Sequence, residues 1–108
     1  MNTFLVYVTV PNSAEAELIA RTVVEERLAA CANQLGAVKS FYWWDGKVCE
    51  GEEVVLILKT TDECKAELIE RIRRLHSYEC PCIVCLPIAD GNPDFLKWIR
   101  RETEKPQR

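Results

Sequence analysis

Long apolar runs are missing from this sequence. Its longest, as at Val54-Val55-Leu56-Ile57-Leu58, is five residues. A membrane-spanning helix needs about 20, so no membrane partner is expected. Histidine is nearly absent, with His76 the single copy. That leaves a Cys–His pair as the one familiar nucleophile arrangement. Glycine is scarce: the four, at 36, 46, 51 and 91, form neither a phosphate loop nor a dinucleotide fingerprint. An enzyme is therefore not expected. Basic charge is short too, with 14 Lys and Arg against 17 Asp and Glu, a net −3. Phosphate backbones select a basic face, so no nucleic-acid partner is expected. Met1-Asn2-Thr3 lacks the basic stretch of a signal peptide.

What is present is a globular composition, 48% hydrophobic and 29% charged over 108 residues. Such a chain suits one domain, 1–108. Six cysteines exceed what a small domain needs. Without a secretion signal, reduced thiols that pack in the core or bind a soft metal outrank a disulfide framework.

Thr3 to Val10 is dense in β-branched and aromatic residues and reads as a strand ended by Pro11. Asn12 suits a helix cap, and apolar residues recur from Ala16 to Cys31, predicting a helix over about 13–30. Val38 to Trp44 is a second strand, turned by Asp45-Gly46 into a third, Lys47 to Thr60. Gly51 is the expected bulge in it. Asp62 is expected to cap a helix over about 63–76, and Cys82 to Leu86 is a fourth strand before Pro87. Asn92-Pro93 opens a short third helix in the order cap, then proline. Lys105 to Arg108 is expected to fray. The order strand–helix–strand–strand–helix–strand predicts an α+β, ferredoxin-like (split βαβ) fold. Its four-stranded antiparallel sheet carries two long helices on one face, and a short C-terminal helix follows.

Both sheet faces are apolar. Phe4, Val6, Val8 and Val10 alternate with Leu5 and Tyr7, and Val54, Leu56 and Leu58 with Val55 and Ile57. Two helices cover one face only. Burying a large apolar side chain contributes roughly 1.5–3 kcal/mol, so the second face is expected to meet another copy of the chain.

Five segments, in order, resemble one family. They are Val24 to Asn33, Ser40-Phe41-Tyr42-Trp43-Trp44-Asp45-Gly46-Lys47, Leu58-Lys59-Thr60-Thr61, Leu86 to Gly91, and Phe95-Leu96-Lys97-Trp98-Ile99. Together they resemble the divalent-cation tolerance proteins of the CutA type. The resemblance implies a cytoplasmic homotrimer packed through its sheets and linked to copper and other divalent cations. His76 falls on a histidine associated with copper in some members. The second histidine of that site is here Leu75, and its first-strand cysteine is Val8.

The run Cys80-Pro81-Cys82-Ile83-Val84-Cys85 offers this chain's own donors. Cysteines two apart on a strand share a face, so Cys80 and Cys82 are candidates to grip a soft ion such as Cu(I), with His76 as a third ligand and Cys85 turned to the core. The competing reading makes the thiols buried hydrophobes and has His76 interact with the last helix carbonyls. Trp44, Lys59 and Tyr78 resemble residues around the family's intersubunit cleft, where a small anion is expected. The chain thus reads as a metal-tolerance protein. The alternatives are a trimeric sensor or adaptor with a small-ligand pocket between subunits, and a stable scaffold without a ligand.

Overall fold

A computed structural model describes residues 2–104; the tail from Lys105 lies outside them. The elements are β1 (Thr3–Val10), α1 (Ser13–Glu25), β2 (Cys31–Trp44), β3 (Lys47–Thr61), α2 (Asp62–Leu75), β4 (Ile83–Pro87) and α3 (Pro93–Glu102). The four strands form one antiparallel sheet in the order β2-β3-β1-β4. This is the ferredoxin-like order that the strand and helix sequence predicts.

The core lies between the sheet and the two long helices. Val6, Val8 and Val10 of β1 stand beside Leu58, Leu56 and Val54 of β3 in register. Ile19 and Val23 of α1 and Leu68 and Ile72 of α2 close over them, all fully buried. Helical spacing put those four residues on the covered faces, and burial of each contributes roughly 1.5–3 kcal/mol.

Besides β4, which runs from Ile83 to Pro87 instead of Cys82 to Leu86, three features differ from the sequence reading. First, α1 stops at Glu25 rather than near residue 30. Arg27 takes a left-handed φ of 59°. The Leu28 N–H bonds the Val23 carbonyl and the Arg27 N–H the Val24 carbonyl, both at 3.0 Å. That is the Schellman ending, built on arginine instead of the usual glycine. The Arg27 guanidinium is held by the Glu102 carbonyl at 3.0 Å and its carboxylate at 3.3 Å.

Second, β2 begins at Cys31, not Val38, because residues 31–35 pair with 59–55 of β3. The irregularity falls at Gly36 of β2, between Leu35 and Ala37. Gly51, the expected bulge, pairs regularly with Ser40. Third, Thr61 rather than Asp62 is the cap residue of α2, and it makes no side-chain capping bond.

Other signals hold. Asn12 Oδ1 accepts the Glu15 N–H at 2.9 Å, and Asn92 Oδ1 the Asp94 N–H at 3.1 Å. Asp45 and Gly46 both have positive φ, 52° and 76°, as a type I′ turn requires. The β2–β3 hairpin outruns its neighbours. Residues 54–59 of β3 lie between β1 and β2, whereas residues 47–53 pair with β2 alone. That outer stretch is an arm beyond the body of the sheet.

Candidate functional site

The segment joining α2 to β4 forms one wall of a cleft, and the arm forms the other. The cleft has a volume of about 740 Å³. Tyr42, Trp43, Trp44 and Glu53 belong to the arm, and Tyr78, Glu79, Cys80 and Cys82 to the connecting segment.

His76 anchors that segment from below. Its side chain is fully buried. Nε2 lies 2.7 Å from the Thr9 carbonyl oxygen. A carbonyl only accepts, so Nε2 carries the proton. Nδ1 accepts the Tyr78 N–H at 3.1 Å, so Nδ1 carries none. Glu15, 3.4 Å from Nδ1, accepts the Ser77 N–H at 3.1 Å. Four polar groups of α1, β1 and the segment are thereby satisfied without water.

This geometry corrects the expected His76–Cys80–Cys82 metal site. In the neutral, Nε2-protonated form neither ring nitrogen has a lone pair left for a metal. Among the described residues no group of three or more His, Cys, Asp or Glu is placed to hold an ion. The donors present therefore do not fit the three-ligand site. Nor are Cys80 and Cys82 on a strand, since β4 begins at Ile83. They are nevertheless brought together, both exposed and both on the cleft wall. Cys85 does pack against the core as expected, and burial raises its thiol pKa.

Of the expected cleft residues, Trp44 and Tyr78 face the cavity, and Lys59 does not. Lys59 lies within β3 and bonds Asn33 Oδ1 on β2. Among the described residues, the ionisable carboxyls on the wall are Glu53 and Glu79, and no lysine or arginine lines it. This chain's share of the wall offers two carboxylates to the small anion expected between subunits.

The sequence reading missed Glu53. Tyr78 Oη donates to Glu53 Oε2 at 3.1 Å. Burial, then this bond, pushes the phenol pKa up to about 12. Residues 53 and 78 meet only because the connecting segment folds beside the arm, and no local pattern signals that. Thr9 and Glu15, the partners of His76, were likewise unmarked.

Comparison with known proteins decides the family. The CutA1 divalent ion tolerance protein family matches residues 4–102. The chain belongs to that family. It is 46% identical over 101 residues to the divalent-cation tolerance protein CutA of Pyrococcus horikoshii, covering 94% of this chain and 98% of that one. The solved structure of the divalent cation tolerance protein of Thermus thermophilus superposes with a TM-score of 0.92 at 45% identity, covering 94% and 99%. The periplasmic divalent cation tolerance protein CutA from Archaeoglobus fulgidus gives 0.91 at 41%, covering 94% and 99%. Membership of the family assigns the chain to divalent-cation tolerance.

Proposed function

We propose that this chain serves divalent-cation tolerance as a non-enzymatic, cytoplasmic homotrimer that binds copper, or another soft divalent-metal cargo, through the cleft thiols. The observation that carries the reading is the exposed pair Cys80 and Cys82 on one wall. Thiolates favour soft ions such as Cu(I), and the two carboxylates beside them favour any cation. His76 positions the segment and does not ligate. All six cysteines are free, which suits a reducing compartment.

Self-assembly is supported by what one chain leaves uncovered. Val84 and Leu86 face away from the helices beside Tyr7 and Leu5, and they are 48% and 50% exposed. On the arm Trp43 is 74% exposed and Phe41 62%. Apolar area on this scale marks an association surface. The count of three follows the family resemblance.

Cu(I) titration of the native assembly, with light scattering for its mass, tests both parts. Cys80→Ser and Cys82→Ser are expected to abolish stoichiometric binding, and His76→Ala to retain it in whatever fraction stays folded. Unchanged binding by both serine variants removes the thiol site. A one-chain mass removes the trimer.

The cleft itself favours a second reading, a sensor or adaptor that takes a small ligand between subunits. Its volume falls in the usual range for small-molecule sites, about 300–1,000 Å³.

A further inference from the structure

We propose that the cleft binds a small organic cation, a quaternary ammonium or protonated amine, seated against its aromatic rings and facing its carboxylates. The proposal deepens the second reading and rests on the cleft staying open to solvent in the assembly. It is independent of copper.

Three observations carry it. The first is the wall chemistry. Tyr42, Trp44 and Tyr78 supply π-faces, Glu53 and Glu79 supply negative charge, and among the described residues no lysine or arginine opposes them. A cation over an aromatic face is attracted by the ring quadrupole, most strongly by tryptophan and most of all where water is excluded. An anion gains nothing from such a wall, and a bare metal ion has no use for the rings.

The second is preorganisation. The Tyr78 hydroxyl already donates to Glu53 at 3.1 Å. The Tyr78 ring leans on the His76 ring, with centroids 4.7 Å apart. His76 is itself bonded to Thr9 and to the Tyr78 backbone. A carboxylate and a ring are thus held in place before any ligand arrives, which lowers the ordering cost of binding.

The third is an example on the same arm. The Lys39 ammonium lies 5.5 Å from the centre of the Phe41 ring, while pairing with Glu50 at 3.6 Å. An amine, a ring and a carboxylate are already combined there in the manner the cleft offers to a free ligand.

The test uses the native assembly, calorimetry and tryptophan fluorescence. The probes are choline, methylammonium, guanidinium, the uncharged choline isostere 3,3-dimethylbutan-1-ol, and acetate. At least one cation, choline foremost, is expected to bind saturably and to perturb the emission of Trp44. The alcohol should bind about tenfold more weakly than choline, a difference between that of an exposed and that of a fully desolvated cation–π contact. Acetate should not bind. Glu53→Gln is expected to weaken choline severalfold, and Trp44→Leu to weaken it further. Because Trp44→Leu can disturb assembly, Glu53→Gln carries the decision, with its mass checked by light scattering. Cys80→Ser and Cys82→Ser should leave choline binding unchanged while removing copper, which separates this proposal from the metal reading. Equal binding of choline and the alcohol overturns the proposal. So does failure of all three cations to bind, including failure because a neighbouring copy fills the cleft.

Discussion

The two halves of β3 live in different surroundings. Residues 54–59 are flanked by β1 and β2 and covered by helices, and Leu56 and Leu58 are fully buried. Residues 47–53 have β2 alone beside them, and Val48 is 58% exposed. One continuous strand therefore supplies both the centre of the core and the edge of the cleft. Apolar residues in the inner half hold the chain together. Those in the outer half are available to something else.

Substitutions sharpen that contrast. Leu56→Ala should lose about 2–5 kcal/mol, transfer and cavity contributions together, whereas Val48→Ala should change the chain's own stability by less than about 0.5 kcal/mol. Urea unfolding at fixed protein concentration measures both, and equal losses would erase the distinction. His76→Ala comes next. It strands the Thr9 carbonyl and the Tyr78 N–H, at a cost of about 1–3 kcal/mol, read in the same assay. Leu86→Glu, on the uncovered face, should leave secondary structure intact by circular dichroism and lower the mass seen by light scattering. An unchanged mass would mean that this face is not where copies meet.

The smallest effects are in the pH limbs. Tyr78 has a phenol pKa raised from 10.0 to about 12 in the folded chain. Its contribution is complete below pH 10 and disappears as pH climbs through about 12, so Tyr78→Phe should flatten the alkaline limb of stability. Glu70 runs the other way. Hydrogen bonds from Arg73 and then Arg74 hold its carboxyl near 2 instead of 4.5. Its contribution is present above pH 4.5 and lost as pH falls through about 2. Glu70→Gln should therefore remove a slight acid sensitivity. Thermal unfolding across pH separates the two limbs.

The order of elements, the I′ hairpin turn and the two capping asparagines were legible because each follows from residues within a few positions. The end of α1 was not. Its left-handed residue is Arg27, anchored by Glu102 from the far end of the chain, and no local rule marks an arginine as a stop. The start of β2 was hidden for a related reason, since Cys31 to Leu35 become a strand only through pairing with β3. At the site, the two thiols and the aromatic hairpin were visible in the sequence, but the strand expected to align Cys80 with Cys82 begins only at Ile83. The role of His76 was not visible, because its partner Thr9 lies 67 positions away. A histidine in a sequence looks like an available donor, whereas here both nitrogens are already engaged. Lys59 shows the same limit: its charge was visible, and its bond to Asn33 across the ladder was not.

The extra residue at Gly36 has a geometric consequence of its own. Leu35 faces Val55 and Ala37 faces Val54, so shortening β2 by that one position leaves every cross-strand partner as it is. A regular ladder is straighter and less twisted than a bulged one. Such a deletion acts like removing a shim from a lever: the aromatic tip keeps its residues and neighbours but points elsewhere. Nothing lies within 4 Å of where a Gly36 side chain would begin, so alanine there is harmless. The aim of the tip is thus governed by a count of residues, whatever their kind.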